Sequence, residues 1–233
     1  MNTRAQVACA WAGAIGISLT LVALLTADLL PAPAADWTAE ELATWYADHT
    51  DRIRTGAVLG VVSTAGWGAL MAVAWVQLKD RGAATLAALH GIAGAVTYVA
   101  LIMTFTVLGV ASFRPDRDPD TTQAMHDLAW FCLLFTVVAP ATQAIAAGLA
   151  ILADRGPAPA FPRWLGYLGC WAGVLFVPGI LLVFFKDGIF AYQGVVAYLI
   201  PLVAFGAWVL ALAWGCRRAA LADPAPGAGA PGT

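Results

Sequence analysis

Six stretches free of Asp, Glu, Lys and Arg punctuate the chain. They run between Arg4 and Asp28, Arg54 and Lys79, Arg81 and Arg114, Asp127 and Asp154, Arg163 and Lys186, and Asp187 and Arg217. Each exceeds the roughly 20 residues of helix that cross a bilayer core. The sequence therefore predicts an all-α fold, a polytopic integral membrane bundle of six transmembrane helices. Of the 233 residues 61% are hydrophobic and 11% charged, against about a quarter charged in soluble domains, which excludes a water-soluble globule. Six spans leave no room for a separate soluble domain. The plan is a six-span unit over residues 1–218 and an Ala/Pro/Gly tail over 219–233, expected to be disordered because it has little to bury.

With the N-terminus inside, Arg4, Lys79, Arg81, Arg155, Arg163, Arg217 and Arg218 lie in the cytoplasm, and Arg52, Arg54, Arg114, Arg117 and Lys186 outside. The cytoplasmic excess favours this orientation, with both termini inside a plasma membrane. Two inner turns, Lys79-Asp80-Arg81-Gly82 and Ala153-Asp154-Arg155-Gly156, place glycine where it commonly stops a helix. Arg4, an apolar run and Ala32-Pro33-Ala34 have the outline of a secretory leader. The run from Val7 to Ala27 is longer than the roughly 7–15 apolar residues of a leader, so it reads as a retained first span. Cys9, Cys132, Cys170 and Cys216 stand singly and read as small apolar packing residues. A net charge of -2 without a Lys/Arg block argues against nucleic acid as a partner. The expected partners are the bilayer and a hydrophobic small molecule, with the oligomeric state open.

Gly13, Gly16, Gly60, Gly66, Gly68, Gly91, Gly94 and Gly173 give the spans small surfaces for close helix packing. Pro140, Pro178 and Pro201 lie well inside spans four, five and six. Each removes a backbone donor and kinks its helix, and three such kinks together can open a cavity.

Acidic residues are one-sided: Asp28, Asp36, Glu40, Glu41, Asp48, Asp51, Asp116, Asp118, Asp120, Asp127 and Asp187 fall outside. The first outer loop carries a capping box, Thr38-Ala39-Glu40-Glu41, flanked by a Trp37/Leu42 staple. It predicts a short amphipathic helix over Ala39 to His49 with Leu42, Trp45, Tyr46 and His49 on one face, serving as an interfacial anchor or as a lid. Asp51 and Arg54 are spaced to pair at the start of span two. Asp116, Asp118 and Asp120 read as solvated loop acids.

Asp127 shares a helical stripe with Gln123 and Trp130. A carboxyl in a poorly hydrated aromatic setting holds its proton, as a general acid requires; an Asp capping a helix start is the alternative. Inside the bilayer, His90 is the ionisable residue clearly within a span, and Gln143 lies at a depth where its amide can partner it. Trp37, Trp45 and Trp164 suit the interfacial belt, whereas Trp67, Trp75, Trp130, Trp171 and Trp208 are placed deeper. Phe185-Lys186-Asp187-Gly188 leads through Phe190 and Tyr192 into span six, bringing aromatics beside a cation at the outer mouth. His49, His90 and His126 lie at different depths and give no support to a three-histidine metal site. No cofactor motif is evident.

The strings Asp127-Leu128-Ala129-Trp130, Phe161-Pro162-Arg163-Trp164-Leu165-Gly166-Tyr167 and Phe185-Lys186-Asp187-Gly188-Ile189-Phe190-Ala191 resemble those of uncharacterised six-span membrane proteins of high-GC actinobacteria. In size, Trp content and outer-mouth carboxylates the chain is also similar to small membrane-bound terpene cyclases. That similarity implies acid-started chemistry on an isoprenoid and carries over no individual residue.

Two functions follow as expectations. The first is a metal-free, acid-initiated isoprenoid cyclase or isomerase, with Asp127 as proton donor, Asp51 or Glu41 tuning it, and Trp130, Trp67 and Trp171 facing the carbocation. His90, Gln143 and Tyr192 are further candidates for contact with the substrate. The second is a non-enzymatic carrier of a lipid or hydrophobic small molecule. A structural partner subunit using the Gly/Ala faces is a third.

Overall fold

The computed structural model describes residues 2–156 and 159–222. Its helices are α1 (Thr3–Thr26), α2 (Ala39–Asp48), α3 (Thr50–Asp80), α4 (Ala84–Phe113), α5 (Pro119–Trp130), α6 (Val138–Ala153), α7 (Arg163–Phe176) and α8 (Ile200–Ala222). No strand occurs among the described residues. Six segments are long and apolar enough to cross a membrane: Thr3–Thr26, Thr50–Asp80, Ala84–Phe113, Pro119–Ala153, Arg163–Phe184 and Gly188–Ala222. The all-α polytopic bundle is thus the observed fold. The tail expected from Ala219 begins inside α8, which continues to Ala222; residues 223–233 lie outside the described residues.

The first span is built into the bundle. Gly13 of α1 faces Leu70, and Gly16 meets the Ser63 carbonyl and Gly66 of α3 so closely that a Cβ at Gly16 would stand 2.7 Å from that oxygen. This approach lets Thr20 Oγ1 and Ser63 Oγ share a hydrogen bond of 2.8 Å. Deeper in, Gln77 Nε2 donates to Gln6 Oε1 at 2.6 Å and to the Cys216 carbonyl at 3.0 Å, joining α1, α3 and α8. The Gln77 amide nitrogen is thereby satisfied where unpartnered polar atoms are costly, while its Oε1 has no partner among the described residues.

The two inner turns differ. Gly82 adopts the left-handed conformation, with φ 85°, and closes α3. The second turn is instead held by Asp154 Oδ1, which accepts from Gly156 N at 3.0 Å. Asp118 is not merely a loop acid: its carboxylate accepts from Thr121 N at 3.1 Å and caps α5, with Pro119 in the first helical turn.

Spans four, five and six are irregular at their proline levels. A π-helical turn, Phe131–Phe135, separates α5 from α6 just before Pro140. Span five tightens to a 3₁₀ segment, Val177–Phe184, at Pro178. A second π turn, Val195–Leu199, precedes Pro201 in span six. Breaks of this kind are tolerated in a membrane bundle where neighbouring helices and local 3₁₀ or π adjustments re-satisfy the freed backbone groups. At 1.5 Å per residue, the 31 residues of α3 and 30 of α4 make helices of about 45 Å, roughly 15 Å longer than a hydrocarbon core of about 30 Å. The surplus, with α2 and the 185–195 connection, makes a polar-aromatic layer on the face that the charge count assigns to the outside.

Candidate functional site: an aromatic cap over an intramembrane cavity

The outer layer forms because α2 is fixed by its own ends. Thr38 Oγ1 accepts from Glu41 N at 3.2 Å, and Glu41 Oε2 accepts from Thr38 N at 2.8 Å, completing the capping box. Leu42 and Tyr46, one turn apart, are then buried, while Trp45 and His49 are half-buried and stack on each other with centroids 5.0 Å apart. His49 Nε2 and Arg52 both reach Asp28 Oδ2, at 3.2 and 3.1 Å, tying the loop before α2 to the start of α3. The chain before α2 is pinned further by Gln123 Nε2, which donates to the Trp37 carbonyl at 2.9 Å, and by Ala35 N, which donates to Gln193 Oε1 at 3.2 Å.

The centre of this layer is a hydrogen-bonded row of rings. Trp130 Nε1 donates to His126 Nε2 at 2.9 Å, and His126 Nδ1 is 2.9 Å from Tyr46 Oη. Tyr192 lies nearly parallel on Trp130, at 5.3 Å, and Tyr198 meets Trp130 edge-on at 4.9 Å. Tyr198 Oη donates to the Leu29 carbonyl at 3.1 Å. Burial pushes the Tyr46 phenol well above the usual tyrosine range, with Tyr192 and Asp127 adding to the rise, so the hydroxyl keeps its proton.

Beneath Tyr198 lies a cavity of about 90 Å³. Its wall brings together Leu24 of α1, Phe105 of α4, Pro140 of α6, Phe176 of α7, and Pro201 and Phe205 of α8. The proline-broken segments of spans four and six therefore border it directly, as three clustered kinks led one to expect. The wall contains hydroxyls, yet offers no free one among the described residues. Thr20 donates to the Gly16 carbonyl, Thr97 to Ala93, Thr136 to Cys132 and Tyr198 to Leu29. What remains facing the space is hydrocarbon and ring.

The residues proposed for acid-started cyclisation are not gathered around this cavity. Asp127 is half-buried in the outer layer, with Lys186 within electrostatic reach, and does not line the wall. It is also not the helix cap, a role that Asp118 fills two turns earlier. Asp51 is exposed at the rim and paired with Arg54 at 3.4 Å, and Glu41 is occupied by the capping box, so neither is positioned to tune Asp127. Trp130 is buried in the aromatic row and Trp67 lies in the lower core, whereas Trp171 is 63% exposed on the lipid-facing side of α7. The spacing of α7 carried the signal: Gly166, Gly169 and Gly173 make the small-residue stripe that packs on α6, and Trp171 falls on the opposite face with Trp164 and Tyr167.

His90 and Gln143 do meet, through a different atom from the one expected. His90 Nδ1 donates to the Gln143 backbone carbonyl at 3.1 Å, and the Gln143 amide nitrogen turns to Met71 Sδ. His90 Nε2, Gln143 Oε1 and Trp67 Nε1 are buried in the lower core without a partner among the described residues. Both the Trp67 and His90 rings pack edge-on against Trp208, at 6.2 and 6.4 Å.

His126, Tyr46 and Tyr198 carry the site, and sequence reasoning did not single them out for chemistry. The usable signals were the four-residue step from His126 to Trp130 and the place of Tyr46 on the buried stripe of α2. Tyr198 had none.

No family model, curated protein or solved structure matches the chain.

Proposed function

We propose that this protein is a non-enzymatic membrane binder that holds a short segment of the apolar chain of a lipid or hydrophobic small molecule inside its bundle, as much as a cavity of about 90 Å³ accepts. The observation that carries this reading is the cavity wall: every hydroxyl on it is turned back to a backbone carbonyl, leaving an apolar space with no free donor or acid. Such a surface favours hydrocarbon and contributes nothing to proton transfer. The cyclase reading requires an acid against the substrate olefin, and Asp127 does not line the cavity. The orientation proposed with it has both termini in the cytoplasm of a plasma-membrane protein, on the excess of Lys and Arg at that side.

The test is photolabelling in a bilayer with a 16-carbon alkyl chain bearing a diazirine near its end. Label should concentrate on the segments 133–140 and 201–205, and Ala100→Phe, which puts a ring into the cavity, should reduce it severalfold. Label spread evenly over lipid-facing residues such as Val99 and Trp171, unchanged by Ala100→Phe, would overturn the reading.

A further inference from the structure

The tautomer of His126 is dictated by its neighbours. The indole of Trp130 is a donor only, so His126 Nε2 must present a lone pair to it. A neutral imidazole with a bare Nε2 carries its proton on Nδ1. Nδ1–H therefore donates to Tyr46 Oη, and the Tyr46 oxygen is the acceptor in that bond. The phenol's own proton is left over. Tyr46 is 1% exposed, and its hydroxyl has no second partner among the described residues, so a buried donor stands ready at the outer mouth.

What surrounds that donor defines the ligand it suits. Tyr192 and Asp127 lie within electrostatic reach of the Tyr46 hydroxyl, and Asp127 and Asp36 within reach of Tyr192. Neither the Asp127 carboxyl nor the Tyr192 hydroxyl is engaged in a hydrogen bond among the described residues. Lys186, itself exposed, is the cation that acts on Asp127. A phosphate would face two carboxyls here. A hydroxyl group, by contrast, accepts one hydrogen bond and donates another, which complements a lone phenol donor beside a carboxyl acceptor.

We propose that the outer cluster recognises the hydroxyl of a neutral, long-chain alcohol-type amphiphile, with Tyr46 donating to the hydroxyl oxygen and Asp127 accepting its proton. His126 and Trp130 are positioning residues: they hold the Tyr46 proton outward. This inference rests on the proposed function, because the chain of the same molecule occupies the cavity below Tyr198. Trp130 and Tyr198 link the two sites, and both rings touch each other.

Two probes of equal length separate the possibilities: the diazirine-bearing 16-carbon alcohol and its methyl ether, which keeps the oxygen and loses the proton. In the full-length protein in bilayers, the alcohol should label the cavity segments about tenfold more than the ether, the effect of one hydrogen bond to a charged group. Asp127→Ala should bring the ratio toward one, because the alcohol alone has a proton to give, whereas Tyr46→Phe should lower labelling by both probes, because both keep the oxygen that Tyr46 donates to. Trp130→Phe should likewise lower labelling by both without touching the ligand's oxygen, because His126 can then present a bare Nδ1 and take the Tyr46 proton. If Trp130 acts through Tyr46, adding Trp130→Phe to Tyr46→Phe should lower labelling no further; a further loss would show a separate structural role and overturn its positioning role. Equal labelling of the wild type by alcohol and ether would overturn the hydroxyl site and leave the apolar-chain reading standing. Failure of both probes to label the cavity would overturn the chain reading itself, and the hydroxyl site with it. The wild-type comparison decides the matter even if a variant fails to fold.

Discussion

Trp130 and His126, one helical turn apart on α5, are joined by a hydrogen bond of 2.9 Å from the indole to Nε2, and this bond sets the direction of the next one, from His126 Nδ1 to Tyr46. A helix outside the membrane spans is thereby latched to span four through a ring that is wholly buried. The energetic consequences are specific to each atom in the row.

Replacing His126 by Phe keeps the ring and removes both nitrogens. The Trp130 N–H and the Tyr46 hydroxyl then lose their partner in a buried site, at a cost of about 3 kcal/mol. Tyr46→Phe costs about 1–2 kcal/mol, since it strands only the His126 Nδ1–H. The double variant should be less destabilised than the sum of the single changes, because the two residues share one interaction. Thermal or denaturant unfolding in a mild detergent measures this, and strict additivity would contradict the coupling.

Tyr46 also predicts a pH dependence. Burial raises its phenol above the ordinary value of 10.0, so the folded protein keeps a proton that the unfolded chain releases as pH passes that value. The stabilisation is complete below about pH 10 and is lost progressively above it. Melting temperatures between pH 8 and 11 should fall more steeply in the wild type than in Tyr46→Phe. Parallel curves would show that Tyr46 is not buried as described.

The α1–α3 crossing depends on missing side chains. Gly66 faces Ala12 and Gly16 across that contact, and a Cβ there would overlap the Ala12 carbonyl. Gly206, on α8, has nothing within 4 Å of its would-be Cβ. Gly66→Ala should therefore destabilise the bundle by about 1–3 kcal/mol, the usual cost of overpacking, while Gly206→Ala leaves it unchanged or slightly firmer. Similar melting temperatures for the two variants would contradict the close approach.

At the rim, the sequence suggested an ion pair, and the structure gives Arg54 a second task. Its guanidinium donates to the carbonyls of Ser112 and Phe113, both at 3.1 Å, at the end of α4, while Asp51 is 95% exposed. A cation satisfying terminal carbonyls is worth more than a solvated pair. Arg54→Gln should lower the melting temperature measurably, and Asp51→Asn should not. Equal effects would return the role to the ion pair.

These contrasts mark what was legible in the sequence. The six spans could be counted from charges alone, because a bilayer has no tolerance for unpaired polar backbone and few places for Asp or Lys. The α2 capping box was readable as well, since Thr38 and Glu41 act at a fixed local spacing. Pro140, Pro178 and Pro201 announced irregular helices for the same local reason. The π turns at Phe131–Phe135 and Val195–Leu199 had no comparable signal, because they follow from packing between spans. Trp171 and Trp130 are alike as letters, yet one faces lipid and the other the core, a difference that the stripe of Gly166, Gly169 and Gly173 on α7 marks for Trp171 and that nothing local marks for Trp130. His126 stayed hidden behind Asp127 because a carboxyl looks reactive in isolation, whereas the histidine gains meaning from Tyr46, distant in the chain.

Native mass spectrometry of the protein released from mild detergent tests the central claim most directly, by asking whether the cavity holds a chain. The wild type should retain about one bound amphiphile per protein under activation that strips surface lipid, and Ala100→Phe should retain none. Identical retention by the two proteins, or complete loss from both at the activation that removes surface lipid, would contradict a chain-binding cavity.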